Sequence, residues 1–194
     1  MIVGVLHIRR KSVIRTFRLD DITDEVLSNE AERQGITVNS LANQIFKKFA
    51  IYDRYTMRHK FISFTLQIFE VILGICDGKL LAASGETAGS EFSREALKTL
   101  GLSHSRESVI RVIRDIASRS ANWYDCEFHP FNGQEGVLAM HTLGEKWSLF
   151  LAGFFRAFMK SVLNVQIDPE ITSHSVFFKL PPTNDAMVGG PQEN

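Results

Sequence analysis

A strand, a helix, a one-glycine break and a second helix are encoded in the first quarter of the 194-residue chain, with almost no connecting residues. Residues 12–19 are β-branched, aromatic and basic, which is typical of a short strand, and the run stops at Asp20-Asp21. One of these aspartates is predicted to cap a helix that ends at Gly35, and Thr37 is predicted to cap the next helix. Elements this short bury too little surface alone, so we expect the unit to pair with a partner.

Apolar residues recur at helical spacing in both predicted helices, as they do on helices that bury one face. They are Ile22, Val26, Leu27 and Ala31 in the first helix and Val38, Leu41, Ile45, Phe49 and Tyr52 in the second. In the strand, Thr16 and Arg18 share one face and Phe17 and Leu19 share the other. Pairing of two such strands across a dyad would supply the missing core.

The register of Arg18–Asp21, then Gly35, then Thr37–Ser40 resembles the Arc/MetJ-type ribbon-helix-helix DNA-binding family. The predicted module covers residues 12–57. In that family two strands form an antiparallel ribbon that enters the major groove, while the amino end of the second helix holds a phosphate. The resemblance therefore implies an intertwined dimer with a DNA-binding ribbon.

Specific contacts with double-stranded DNA also follow from the resemblance. A guanidinium can bond guanine O6 and N7 together, which makes Arg18 the strongest candidate for reading a base. Free N–H groups and the positive dipole at the start of the second helix form an anion site. The implied base contacts are Arg18, Thr16 and Ile14, and the implied phosphate contacts are Thr37, Val38, Asn39, Arg15 and Lys11.

Charge is distributed unevenly along a chain whose formal net charge is zero. Residues 1–60 hold 11 Lys and Arg against 7 Asp and Glu, and the remaining residues hold 11 against 15. The basic arm, residues 1–11, suits a local phosphate-binding face, and the alternative is a solvated basic terminus. The first apolar run is too short to span a bilayer, and two distant cysteines make no disulfide framework, so we expect a cytoplasmic protein.

Residues 61–181 are predicted to form an α+β domain in which helices cover an antiparallel sheet. Asn132-Gly133 is a strong hairpin signal, and Thr142 with Glu145 forms a T-x-x-E capping box. The predicted elements are strand 61–65, helix 66–81, a loop over 82–104 with a short helix at 94–100, helix 105–118, strands 123–131 and 137–141, a helix of about twenty residues from Thr142, and strand 175–180. Residues 182–194 are predicted to be a disordered tail.

The helix that follows Thr142 is unusually aromatic, with Trp147, Phe150, Phe154 and Phe158 at helical spacing. Such a stripe is core, a subunit interface or the wall of a pocket for an apolar or planar molecule, and the sequence leaves the three open. His141, just before the helix, is a further candidate for that pocket or interface. The layout of strands and the His-x-x-Gly helix start resemble the vinyl-reductase and haem-nitric-oxide-binding sensor group, from which no residue role is carried over.

Metal-binding and catalytic motifs are absent from the sequence. Cys126 and His129 are the one near pair of metal-ligand residues, and three positions apart on a strand their side chains point to opposite faces. No phosphate-binding glycine loop, G-x-S-x-G or H-E-x-x-H occurs. We therefore predict no enzyme activity, no metal and no cofactor.

Together these features predict a dimeric, sequence-specific DNA-binding transcriptional regulator that reads the major groove with a β-ribbon and carries a C-terminal sensing or oligomerisation domain. The expected partners are double-stranded DNA, further copies of the chain and a small-molecule effector, with no membrane. Two alternatives stay open. One is an antitoxin-type autoregulator that binds a toxin, and the other is a small-molecule sensor whose N-terminal module serves assembly.

Overall fold

The computed structural model describes residues 13–54, 57, 63–131 and 133–182. The chain divides into two compact units, Met1–Lys47 and Lys48–Asn194, called below the N-terminal and C-terminal units. The predicted basic arm lies outside the described residues, as does the predicted tail beyond Pro182. The predicted α+β class is confirmed, and the one sheet found in the described chain lies in its C-terminal half.

Residues 13–20 have no regular secondary structure, so the described part of the strand predicted at residues 12–19 does not form in the single chain. A strand exists through hydrogen bonds to a neighbour, and the strands that the structure describes pair only with one another. Every side chain from 13 to 20 is exposed. The ring of Phe17 nevertheless lies 5.2 Å from that of Phe46, measured between centroids.

Helix α1, Asp21–Arg33, is capped at both ends by residues that the sequence singles out. The Asp20 carboxylate accepts the Thr23 N–H at 2.8 Å, which satisfies a free donor of the first turn. At the other end Gly35 has φ +65°, and the Ile36 N–H bonds back into the last turn at 2.9 Å. The predicted start and end of this helix are confirmed.

Helix α2, Val38–Lys48, begins where the Ser40 N–H donates to the Thr37 hydroxyl at 3.1 Å, so the predicted cap is confirmed. A π-helical turn, Phe49–Asp53, continues it.

The N-terminal unit buries little of its apolar surface. Among its described residues the buried hydrophobic side chains are Ala31 and Leu41. Its exposed large hydrophobic residues are Val13, Ile14, Phe17, Leu19, Ile22, Val26, Ile45 and Phe46. Of the seven positions in this unit that the helical spacing predicts to face a core, three are therefore exposed in a single chain: Ile22, Val26 and Ile45.

Helix α3, Leu66–Ile75, begins at Thr65, whose hydroxyl accepts the Ile68 N–H at 3.4 Å. Residues 63–65 lead into this helix, so the strand predicted at 61–65 is wrong for its described part, and residues 61 and 62 lie outside it. Threonine favours strands but also caps helices, and here the capping role prevails.

Helix α4, Gly78–Leu100, shows that the loop predicted over 82–104 is wrong for residues 82–93, while the short helix predicted at 94–100 is the last part of α4. The helix predicted over 66–81 is broken in two. The Asp77 carboxylate accepts two backbone N–H bonds at 2.9 and 3.1 Å, so the break is a capped helix start. Gly101, with φ +62°, ends the helix. The small residues that suggested a loop lie inside a helix.

Helix α5, Arg106–Arg111, is capped by the Ser105 hydroxyl and continues as a π-helical turn, Val112–Ser118. The predicted helix 105–118 is thus confirmed apart from its change of pitch. The side chains predicted to face inward are buried: Val109, Val112, Ile113 and Ile116.

Four antiparallel strands form the sheet in the order β1-β2-β4-β3. They are β1 (Asp125–Phe131), β2 (Gln134–Met140), β3 (Glu170–Ile171) and β4 (Ser175–Lys179). The predicted hairpin is confirmed: Asp125 pairs with Met140 and Phe131 with Gln134, across a turn at Gly133 with φ +77°. The other turn residue, Asn132, lies outside the described residues.

Helix α6, Glu145–Leu163, runs through the core of the C-terminal unit. Its N-cap is Gly144, with φ +76° and no side-chain cap, so the capping box predicted from Thr142 is wrong. The helix therefore begins two residues later than a cap at Thr142 would start it. Residues of α6 that are fully buried include Leu151, Phe154, Phe155, Phe158 and Met159.

Helices α4 and α6 approach each other backbone to backbone. A Cβ added at Gly85 would overlap the Phe150 carbonyl oxygen, and one at Gly89 would overlap the Phe154 carbonyl oxygen. From the other side, a Cβ at Gly153 would overlap the Ala82 carbonyl oxygen. The three glycines remove the side chains that would hold these helices apart, and α6 thereby presents its first turns to the space beside α3.

Candidate functional site

The C-terminal unit contains an apolar pocket with a volume of about 480 Å³. Its walls come from α3, the first turns of α4, the turn that follows α5 and the first turns of α6. The principal apolar side chains that line it are Phe69, Leu73, Trp123, Leu143, Trp147 and Phe150. Leu66 and Ile72 of α3 also line it, and both are exposed on their outer side.

Aromatic rings form one continuous wall of this pocket. Trp147 and Phe150, one helical turn apart on α6, stack with centroids 4.7 Å apart and planes 6° apart. Phe69 meets Trp147 edge-on, with centroids 5.2 Å apart, and Trp123 meets both rings of α6 edge-on, at 6.1 and 6.4 Å. Stacked and edge-on pairs are the favoured arrangements of aromatic rings, so these contacts stabilise the wall.

Two hydrogen bonds hold the elements around the pocket together. The Trp147 Nε1–H donates to the Trp123 carbonyl oxygen at 3.0 Å, which fixes the orientation of the indole. The Lys146 ammonium donates to the Gly74 carbonyl oxygen at 2.7 Å and so connects the start of α6 with the last turn of α3.

Few polar groups line the pocket, and they are Cys76, Ser84 and Asn122. The Cys76 thiol is half-buried and donates to the Ile72 carbonyl oxygen at 3.3 Å. None of the described side chains that line the pocket carries a charge. The arrangement suits binding of an apolar body and offers no group matched to acid–base chemistry.

The aromatic stripe predicted on α6 divides between two roles. Trp147 and Phe150 line the pocket, whereas Phe154 and Phe158 are fully buried in the core. Of the three interpretations left open by the sequence, the pocket wall and the core thus apply to different residues of one helix. Trp123 and Phe69 were not singled out for the site, although the nearly all-apolar sequence of α3 was a signal that it faces more than one environment.

His141 lies outside this pocket. Its Nδ1 accepts the Leu143 N–H at 3.3 Å, so the neutral ring carries its proton on Nε2, which donates to the buried Ser148 hydroxyl at 2.9 Å. Burial, together with the nearby His174, lowers the pKa of His141 to about 4. The ring is a structural link between β2 and α6 and not a ligand for the pocket.

Acidification from pH 6.5 towards 4.5 is expected to destabilise the C-terminal unit through His141. The unfolded chain protonates this ring near its ordinary pKa of about 6.5, and the folded chain near 4. The unfolded state therefore binds more protons in this window, and stability present above it is lost as the pH falls, by about 1 to 2 kcal/mol after allowance for partial exposure. Urea unfolding at pH 7 and 4.5 measures the loss.

The matched variant for this measurement is His141→Gln, which removes the titration and keeps a polar side chain. Because carboxylates titrate in both proteins, the quantity of interest is the difference between their losses. The variant should lose less stability than the wild type between the two pH values. Equal losses would show that the ring does not contribute.

The described residues that were predicted to contact DNA lie in the exposed, irregular segment before α1 or at the start of α2. Ile14, Thr16 and Arg18 are exposed, and the Arg15 guanidinium donates to the Ile14 carbonyl oxygen at 3.1 Å. Thr37 caps α2, with Val38 half-buried and Asn39 exposed in its first turn. Lys11 lies outside the described residues.

No group of three or more metal-ligand side chains is close enough to hold an ion in the part of the chain that the structure describes. His129 is exposed and its Nε2 lies 2.8 Å from a Glu127 carboxylate oxygen, while burial raises the pKa of Cys126 to about 11. A search of the described helices for one of sufficient length and hydropathy to cross a bilayer finds none.

No family model and no curated protein matches the chain. Among solved structures, the chain is similar to a trafficking protein particle complex subunit 3 from Naegleria fowleri, which was crystallised covalently bound to palmitic acid. The two proteins are 12% identical, and the match covers 84% of this chain and 98% of the other, with a TM-score of 0.41.

The prediction of a DNA-binding transcriptional regulator is wrong. The similar structure belongs to a subunit of a trafficking complex and not to a DNA-binding regulator. Residues 13–20 form no strand in the single chain, which therefore presents no β-ribbon to a groove by itself. Double-stranded DNA is removed as a partner on these grounds, and so is the antitoxin-type autoregulator, which needs the same DNA-binding head.

Proposed function

We propose that the C-terminal unit binds an apolar small molecule in the aromatic pocket. The observation that carries the proposal is the pocket itself, whose wall of Phe69, Trp123, Trp147 and Phe150 is held open by ring contacts and one indole hydrogen bond. Its volume of about 480 Å³ falls in the range of about 300 to 1,000 Å³ that small-molecule sites occupy.

The lining defines the chemical class of the ligand. An apolar molecule with a flat or chain-like body gains contact with the rings, whereas a charged molecule would lose its hydration without finding a partner charge. The Cys76 thiol, the Ser84 hydroxyl and the Asn122 amide leave room for one or two weak polar contacts. A largely hydrocarbon ligand with at most one polar end fits this description.

Both tryptophans of the chain, Trp123 and Trp147, line the pocket, so intrinsic fluorescence reports its occupancy directly. The experiment titrates the purified full chain with the neutral apolar probe N-phenyl-1-naphthylamine. We expect saturable tryptophan quenching with energy transfer to one bound probe per chain. Quenching that rises linearly without saturation would contradict the proposal.

A variant that fills the pocket provides the control. Ser84→Phe places a ring in the lining of the pocket and should weaken probe binding at least about tenfold. Thr87→Phe adds the same ring to an exposed site on the same helix, outside the lining, and should bind as the wild type does. Equal affinity of the two variants would place the probe elsewhere.

We also propose that the N-terminal unit is a ribbon-helix-helix module that joins two copies of the chain. The observation that favours it is the apolar surface that one chain leaves uncovered, including Ile22 at 71% and Val26 at 61% exposure. Two short helices cannot bury such a surface by themselves, and residues 16–19 carry the alternation of a strand that lacks a neighbour. A second copy would supply both the strand partner and the opposing helices.

Light scattering of the full chain after size-exclusion chromatography tests this pairing. The wild type should have the mass of a dimer, and Ile22→Glu with Val26→Glu should give a monomer, because the new charges would be buried at the interface. Ser28→Glu with Asn29→Glu adds the same charge at exposed polar positions of α1 and should stay dimeric. A monomeric wild type, or a double variant that remains dimeric, would refute the pairing.

A further inference from the structure

A second cavity of the C-terminal unit, with a volume of about 450 Å³, differs from the aromatic pocket in its chemistry. It lies between the second half of α4, the turn that follows it and the last turns of α6. Basic and hydroxyl side chains dominate its lining: Arg94, Lys98, His104, Ser90, Ser93 and Ser161. No described carboxylate lines it.

Two permanent positive charges face this cavity from one helix. Arg94 and Lys98 are four residues apart on α4, so they lie on the same face, where like charges repel. Neither forms an ion pair with a carboxylate of the described chain. Glu91 and Glu95 lie on the same helix but outside the lining. Lys98 also complements the carbonyl end of α4, a role that Arg94, a turn earlier, does not share.

His104 lies at the rim of the cavity. Its Nδ1 lies 3.3 Å from the Val162 carbonyl oxygen, and a carbonyl only accepts, so this nitrogen carries a proton. The Nε2 atom has no hydrogen-bond partner among the described residues, and it is an acceptor in the neutral ring, so it would donate to a phosphate oxygen only when the ring is protonated. The Ser93 hydroxyl is almost completely buried and donates to the Ser90 carbonyl oxygen at 2.7 Å, so the floor of the cavity is fixed.

We propose that this cavity is an anion site for a phosphate group, held by Arg94 and Lys98 with His104 at its rim. Guanidinium and ammonium groups have donors and no acceptors, and a phosphate oxygen cluster supplies the complementary acceptors while it neutralises the two repelling charges. The phosphate belongs either to a soluble molecule or to a lipid headgroup. The site is separate from the aromatic pocket, and its occupancy does not depend on the ligand proposed there.

The test follows amide NMR shifts of the isotope-labelled full chain during titration with inorganic phosphate at constant ionic strength. Saturable shifts should cluster in the second half of α4 and at residues 102–104. A parallel arm sediments the protein with phosphatidylcholine vesicles that contain or lack phosphatidic acid. Binding of free phosphate supports the site with a soluble source, and sedimentation that requires phosphatidic acid supports it with a lipid source.

Charge variants test whether this cavity is the site of the phosphate or vesicle binding. Arg94→Gln with Lys98→Gln should weaken the binding seen in either arm at least about tenfold, because each side chain contributes charge-assisted hydrogen bonds. Lys47→Gln with Lys79→Gln removes the same charge from exposed positions outside the cavity and should leave binding unchanged. Equal weakening by both pairs, or no binding by the wild type in either arm, would overturn the proposal.

Discussion

Gly85→Ala is expected to destabilise the C-terminal unit by at least about 3 kcal/mol, although alanine is the better helix former by about 1 kcal/mol. The new methyl group would overlap the Phe150 carbonyl oxygen and lie 2.9 Å from its carbonyl carbon. Because the obstacle is backbone and not a flexible side chain, α4 and α6 must separate, which disturbs the packing along their whole contact. Urea unfolding followed by tryptophan fluorescence measures the loss, since Trp123 and Trp147 both report on this unit.

Gly74→Ala is the matched control for this prediction. Gly74 also lies inside a helix, but a Cβ there would meet nothing within 4 Å. The same chemical change should therefore be neutral or stabilise by up to about 1 kcal/mol. If the two variants had similar unfolding midpoints, the close approach of α4 and α6 would be wrong.

Phe158→Ala is expected to cost about 3 to 5 kcal/mol, a large share of the stability of a domain of ordinary size. Phe158 is fully buried, and its ring stacks on that of Phe154 with centroids 5.7 Å apart. Removal leaves a cavity that the surrounding backbone, fixed by the glycine contacts of α4 and α6, cannot collapse to fill. The variant should unfold at a much lower urea concentration than the wild type.

Phe150→Ala separates the two roles of the aromatic stripe. Phe150 is half-buried at the edge of the pocket, so its removal should cost clearly less stability than that of Phe158. It should instead enlarge the pocket and weaken binding of N-phenyl-1-naphthylamine. A stability loss equal to that of Phe158→Ala would mean that this ring belongs to the core.

Local features near helix ends could be predicted from the sequence because their causes are local. Asp20, Thr37 and Ser105 each cap a helix through a hydrogen bond from the N–H three positions away, and Gly35 ends α1 through its own backbone conformation. The hairpin at Gly133 belongs to the same class. For each of these, a few neighbouring residues contain the whole physical explanation.

Features that depend on distant residues were predicted wrongly or only in part. Gly85 and Gly89 suggested a loop because glycine weakens helices, but here the approach of α6 requires them. Trp147 and Phe158 belong to the same stripe of α6 and differ only in their surroundings. Trp147 faces α3, whereas Phe158 faces the interior. Periodicity identifies an apolar face and does not reveal whether the space beside it is filled.

The DNA-binding prediction was wrong for a related reason. The register of Arg18 to Ser40 correctly indicated two capped helices, but the role of residues 13–20 depends on whether a strand is formed there, and in the described chain none is. A side chain such as Arg18 acquires a groove-reading role only from that tertiary context. The exposed hydrophobic residues of this unit support assembly, which is a weaker conclusion than recognition of a sequence.

Helix α3 buries one side chain, Leu73, while Val71 and Ile75 are 71% and 86% exposed. It is joined to the rest of the unit by the edge-on contact of Phe69 and by the Lys146 bond to Gly74. A helix attached by so few groups opens at a lower free energy than α6, and its amides should exchange with solvent first. The pocket thus has one rigid wall, on α6, and one compliant wall, on α3, and we expect a larger ligand to be accommodated by movement of α3.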